Sequence, residues 1–278
     1  MAGREATILA TQTRFAVLTA RRNPQVLVFG MVFPAVLLIL FGSIFSSGAT
    51  HTERLGGERI DTHAYFTAGL MAYAIMLQAF TQLAISVTTQ RESGQLKRLR
   101  GTPMPAWTFM VAQVLRVLAF TVFMVALLLA IGVIAFGVKV PAAGVVGLVV
   151  YVALGTAAMV CLGLAASALF NNADTAASAA PFLAVMLSFI SGVFISVNLL
   201  PGWLAGIGRV FPLFHLAEGL QRSLVPGGGT GLTGPNAAVL AAWGLGGLAF
   251  AVRRFRWEPE GLERLRTPRR RAARDDDR

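Results

Sequence analysis

Cysteine is almost missing from this chain: a single residue, Cys161, sits inside an apolar run of a 278-residue sequence. A lone thiol excludes an intrachain disulfide framework and a cysteine-ligated metal site built by one copy. Histidine is also scarce. His51, His63 and His215 stand far apart, and none falls in a His-Glu-x-x-His zinc pattern. No Gly-x-Ser-x-Gly nucleophile turn occurs. The run GGGTGLTG, Gly227 to Gly234, has the glycine density of a phosphate loop but lacks its lysine, and it reads as a flexible turn. Any nucleotide this protein uses would be bound by another chain. Charge is the last scarcity: 13 % of residues carry it, against roughly 25 % in soluble domains.

What fills the space is apolar length. The chain is 55 % hydrophobic with a mean hydropathy of +0.67, and several windows reach the roughly 20 apolar residues a bilayer crossing needs. Six spans are expected, at about 25–46, 65–88, 106–137, 142–169, 175–198 and 234–252. The first is span-length and lacks a small-residue cleavage site, so no cleavable signal peptide is expected. Residues 1–24 carry a weak apolar stripe, Ile8, Thr11, Phe15 and Leu18, which reads as an amphipathic helix at the membrane surface; a frayed terminus is the competing reading. Residues 199–233, with Pro201, Trp203, Pro212, His215 and Glu218, are too broken for a span and too apolar for a plain loop. Short re-entrant helices covered by protein fit that composition. The fold class expected is an all-α polytopic membrane protein, divided into an interfacial helix (1–24), a transmembrane domain (25–252) and a basic tail (253–278).

The net charge of +11 is distributed like membrane orientation, not like a nucleic-acid face. With both termini inside, the inner segments hold eighteen basic residues and the outer segments five, while Arg116 is left to snorkel near the start of the third span. That places 89–105 in the cytoplasm of a plasma-membrane protein and 199–233 outside it. Anionic lipid is an expected contact of the tail. Acids and bases inside spans are nearly absent, which counts against ion-coupled transport. Asp174 falls in a short inner turn, where it is expected to cap the helix that follows.

Three groups of residues stand out. Gln78 and Gln82 lie four apart in the second span. They read first as interhelical hydrogen-bonding groups and alternatively as part of a substrate path. The Gly202/Gly206 spacing and the small residues of the fourth span read as packing. The most distinctive group is QRESGQLKRLRGTP, Gln90 to Pro103. Leu96 and Leu99 share a helical edge with Lys97, Arg98 and Arg100 around it. Gly94 and Gly101 bracket the piece, and Thr102-Pro103 has the form of a helix N-cap followed by proline. Such a short helix can insert into a groove on a soluble partner; a solvated loop is the alternative.

The stretch Arg91 to Pro103 resembles the E-x-G-x-L-x-x-L-x-x-T-P signature of ABC-2 type transporter permeases, with Glu92, Gly94, Leu96, Leu99, Thr102 and Pro103 in place. The stretch SGVFISVNLLPGWLAGIGRVFPLFHLAEGLQR, Ser191 to Arg222, is similar to a second family region. Ile195 and Ser196 stand where the family often has proline, which puts the local bend there in question. This family of bacterial export permeases includes daunorubicin/doxorubicin-resistance and polysaccharide exporters. The resemblance implies a half-transporter that dimerises and binds two copies of a separate ATPase, which would hold the ATP and Mg2+. No cofactor or catalytic residue is implied on this chain. The segment around Leu96–Arg100 would be the coupling helix, residues 199–225 the outer re-entrant pair, and the substrate an amphipathic drug, lipid or glycolipid. Two other classes remain open here: an ion-coupled transporter, and a membrane-embedded enzyme on a lipid-linked substrate, for which His215 and Glu218 are the one candidate pair.

Overall fold

The computed structural model of the chain describes residues 30, 32–45, 52–55, 58–95 and 106–254. In chain order the described elements are α1 (Phe33–Phe45), β1 (Thr52–Leu55), β2 (Glu58–Asp61), α2 (Thr62–Ile75), a π-helical segment (Met76–Gln82), α3 (Leu83–Glu92), α4 (Ala106–Phe136), α5 (Ala142–Leu169), α6 (Ala173–Ile190), a 3₁₀ turn (Val197–Leu199), α7 (Gly202–Gly208), α8 (Pro212–Ser223) and α9 (Gly234–Arg254). Among the described residues, five helices are long and apolar enough to cross a membrane: Thr62–Glu92, Gln113–Phe136, Ala142–Leu169, Ala173–Ile190 and Gly234–Arg254. The described part of α1 is a shorter apolar helix. The N-terminal stripe and the basic tail lie outside the described residues.

Thr62–Glu92 is the pillar of the bundle. Its apolar window is 78 % buried, against 22 % for Ala173–Ile190. Alanine and glycine at Ala64, Ala68, Gly69, Ala72 and Ala74 let neighbours close on every side of α2, in the manner of membrane helix packing through small residues. Asp61 starts the helix: its Oδ1 accepts from the backbone N–H of His63 (2.9 Å) and Ala64 (3.2 Å), satisfying donors that have no intrahelical partner. The outer helices do the reverse. Val36, Ile39, Val122, Phe123, Val149, Phe182, Leu245 and Val252 are large, apolar and exposed, which a soluble surface rarely tolerates in such quantity and a lipid-facing surface requires.

The helices alternate in direction, so the bundle has two ends. At one end His63 stacks on Phe136 at 5.3 Å, and Tyr65, Gly192 and the start of α9 lie close by. At the other, α3 meets the α5–α6 turn. α5 presents its glycines to its neighbours. A Cβ at Gly144 would lie 1.9 Å from the Ser223 carbonyl oxygen, and one at Gly155 2.4 Å from a Leu216 methyl.

Four expectations need correcting. The polar loop after the first span holds an antiparallel hairpin, with Thr52 opposite Asp61 and Leu55 opposite Glu58; Gly56-Gly57 between the strands is a hairpin signal that a search for spans passes over. The fifth span ends at Ile190, not 198, because the chain turns at Gly192, whose φ of +76° is glycine territory. The bend is thus present without the family's proline. The Gly202/Gly206 spacing packs against no described residue: nothing lies within 4 Å of where a Cβ would stand at either. The cap of α6 is Asn172, whose Oδ1 accepts from Thr175 N–H at 2.7 Å, while Asp174 sits in the first turn.

Candidate functional site

α3 delivers two adjacent charges, Arg91 and Glu92, to the α5–α6 turn. Arg91 is buried, with 8 % of its surface exposed. Its Nη1 donates to the Ser167 carbonyl oxygen at 3.0 Å, and its Nη2 donates to that of Phe170. Ser167 is in the last turn of α5 and Phe170 is its C-cap, where C=O groups lack intrahelical donors and the helix dipole is negative. Glu92 Oε2 accepts from the backbone N–H of Ala173 at 2.6 Å, at the positive N-terminus of α6. A cation therefore closes one helix and the next residue, an anion, opens the following one. Both charges sit where the local dipole favours them, and both tie α3 to a turn some 80 residues later.

Beside this clamp runs a polar string between α3 and α4. Gln90 Nε2 donates to Ser86 Oγ (2.9 Å), Gln113 Nε2 to Gln90 Oε1 (3.1 Å), and Arg116 Nε to Gln113 Oε1 (3.0 Å). Arg116 is held in this string. Past Glu92 the helix stops at Gly94, with φ +71°. Leu96, Lys97, Leu99, Thr102 and Pro103 lie outside the described residues.

Gln78 is buried and donates from Nε2 to the Gly30 carbonyl oxygen at 3.1 Å, an interhelical bond. Gln82 is half-buried, and its side chain makes no hydrogen bond to another described residue. Both lie in the π-helical segment, whose Ala79 and Phe80 carbonyls approach Gly163 so closely that a Cβ there would meet them at 2.8 and 2.9 Å. π-turns of this kind recur at functional positions in helices.

At the opposite end, α7 and α8 occupy the region between α6 and α9. Pro201 precedes α7, and Pro212 is the first residue of α8, where its missing N–H costs nothing. Trp203 is exposed. His215 Nδ1 lies 2.8 Å from Asn236 Oδ1 and Nε2 lies 2.8 Å from the Arg209 carbonyl oxygen, so the ring straps α8 to α9 and to the α7–α8 turn. Glu218 is bound elsewhere: Arg222 donates to its Oε1 from Nε (3.0 Å) and Nη2 (2.8 Å). The three-residue spacing that made His215 and Glu218 a candidate acid–base pair does not join them by a hydrogen bond.

Several anchors of this end escaped the sequence reading. Tyr65 Oη and Gln221 Nε2 both donate to the Gly192 carbonyl oxygen, at 2.7 and 3.2 Å. Tyr151 Oη accepts from Thr233 N–H at 3.0 Å, and Trp243 Nε1 donates to the Val210 carbonyl at 2.9 Å. Phe194 meets Tyr73 and Phe189 edge-to-face and Phe41 at a tilt, with centroids 5.1–6.1 Å apart. The signal available was the placement of Tyr, Trp and Gln inside apolar runs, where a buried polar tip requires a partner.

The described chain is a multi-pass helical bundle with a charged clamp at one end and short connecting helices at the other. The ABC-2 type transporter family model matches residues 8–225, and the chain belongs to that family. No curated protein sequence matches it significantly. Membership makes the chain a permease subunit of an ABC exporter, a component that is generally not catalytic and normally pairs with an ATPase subunit.

Proposed function

We propose that this chain is the translocating half of an ATP-driven exporter for an amphipathic drug-like, lipid or glycolipid substrate, taken from the cytoplasm or inner leaflet. Two copies would assemble with two ATPase subunits, and both termini would lie in the cytoplasm. The observation that carries the reading is the attachment of Arg91 and Glu92 to the α5–α6 turn. The segment that leaves Glu92 is the one that resembles a coupling helix. A push on it from an ATPase would not be lost in a loose loop, because its root is bonded to two further membrane helices. The competing enzyme reading has little to rest on, since His215 and Glu218 are each bound to other groups.

Co-expression with the candidate ATPase tests this. Replacing Leu96 and Leu99 together by aspartate places two charges on the edge expected to enter the ATPase groove. Co-purification is expected to fall at least about tenfold, as for loss of a buried interface anchor, and stimulated ATP hydrolysis with it. Retention of both would remove the coupling role from this segment.

Orientation has its own test. In a Cys161→Ser background, an impermeant thiol reagent applied to intact cells is expected to label Gly57→Cys and spare Gln95→Cys. The reverse pattern would invert the topology and put the clamp outside.

A further inference from the structure

Between the 191–198 loop, α8 and the start of α9 lies a cleft of about 570 Å³, within the roughly 300–1,000 Å³ range of ligand sites. Its walls are not neutral. Ser191 and Asn236 line it, 1 % and 4 % exposed. Neither the Ser191 hydroxyl nor the Asn236 Nδ2 has a hydrogen-bond partner among the described residues. A buried polar group without a partner costs about 1–3 kcal/mol, so two on one wall mark a place that a polar ligand would satisfy. Turning the Asn236 amide over to give Nδ2 to His215 leaves its oxygen unpartnered instead, so the wall keeps one open polar atom from Asn236 either way.

The charged side chains that line the cleft favour an anion, with the Glu53 carboxylate near Tyr65 standing outside the lining. Arg222 is neutralised by Glu218, but the Arg209 guanidinium, at the mouth, has no ion-pair partner among the described residues. Next to Arg209 the surface changes character. Leu199, Trp203, Ile207 and Val210, on and around α7, are exposed by 45–76 %. An indole among exposed aliphatics at the end of a helical bundle is the composition of the membrane–water boundary. A polar, cationic cleft thus opens beside an apolar shelf, the two halves of an amphiphile's complement.

We propose that this cleft holds the anionic, phosphate-bearing headgroup of an amphiphile, with its chain lying along Leu199, Trp203, Ile207 and Val210. Arg209 supplies the charge, and Ser191 and Asn236 supply hydrogen bonds. Resting on the orientation given above, this is a headgroup site at the outer leaflet, where an exported lipid or glycolipid would be held before release.

Binding is measured on the purified full-length chain in a neutral detergent, without ATPase, so a failed coupling reading leaves this result unaffected. The probes are short-chain phosphatidylglycerol, phosphatidylcholine of the same chain length, and inorganic phosphate, read by tryptophan fluorescence and thermal shift. Phosphatidylglycerol is expected to bind at least about tenfold tighter than phosphatidylcholine, as charge-assisted contacts imply. Arg209→Gln is expected to cut that preference several-fold, the basic tail keeping the remainder. It leaves the backbone carbonyl that holds His215 in place, and an unchanged lipid-free melting temperature checks its fold. Arg253→Gln with Arg254→Gln, at the opposite end and only two of the tail's ten arginines, is expected to lower the preference far less. Equal binding of the two lipids, or an unchanged preference in Arg209→Gln, overturns the proposal. Inorganic phosphate competing as well as phosphatidylglycerol does so too, since that makes the cleft an anion site without a place for the chain.

Discussion

Arg91→Met is expected to be among the most damaging single changes in the described structure. It removes a buried cation that donates to both the Ser167 and the Phe170 carbonyl oxygens, and methionine fills the space but donates nothing. Hydrogen bonds to charged groups contribute about 1.5–3 kcal/mol each, and stranding buried acceptors adds to the loss, so destabilisation of at least about 3 kcal/mol is expected. Thermal melting of the purified chain checks it, with a drop of several degrees for a protein of this size. Arg91→Lys is expected to restore only part of the loss, because one ammonium cannot reproduce a planar fork reaching two carbonyls. Glu92→Gln serves as the contrast: it keeps an acceptor for Ala173 N–H and loses only the charge, at an exposed position, so its melting change is expected to be small. In the ATPase complex, Arg91→Met is expected to lower stimulated hydrolysis while leaving co-purification through the Leu96–Leu99 edge intact. Wild-type melting and wild-type stimulation in Arg91→Met would show that the clamp is incidental.

The clamp also shows where reading the chain runs out. Its two charges were visible, because charge beside a long apolar run is rare enough to notice. Their partners were not: Ala173 and Ser167 contribute backbone atoms, which no residue type announces. Hydropathy needs no tertiary knowledge, so α5 runs over the same residues, 142–169, that its apolar length indicates. Apolar length carries the expected end of α6 eight residues too far, since its stop depends on Tyr65 and Gln221 bonding the Gly192 carbonyl from other helices. At the other end, spacing alone misled. His215 and Glu218 share a helix three residues apart, yet the Glu218–Arg222 pair, four apart on that same helix, is the one that forms. That i,i+4 pairing was legible. Asn236, which holds His215, was not, because it comes from the next span.

Gly147→Ala gives the second large effect, and one methyl group produces it. A Cβ at Gly147 would lie 1.9 Å from the Thr230 carbonyl oxygen and 2.4 Å from Ser223 Oγ. A side chain could rotate away from the added atom, but a backbone oxygen cannot. The 223–230 turn must move, and overpacking of this kind costs about 1–3 kcal/mol, outweighing the gain of up to about 1 kcal/mol that alanine brings over glycine in a helix. Gly206→Ala isolates that gain, since Gly206 is helical, exposed and faces open space; it is expected to melt at or slightly above wild type. The displaced turn leads into Thr233, which lines the cleft and whose N–H bonds Tyr151 Oη. Gly147→Ala is therefore expected to weaken the phosphatidylglycerol preference as well as stability, although no atom of residue 147 lines the cleft. If Gly147→Ala and Gly206→Ala melt alike, the glycine face of α5 is not what seats α8 and the turn that follows it.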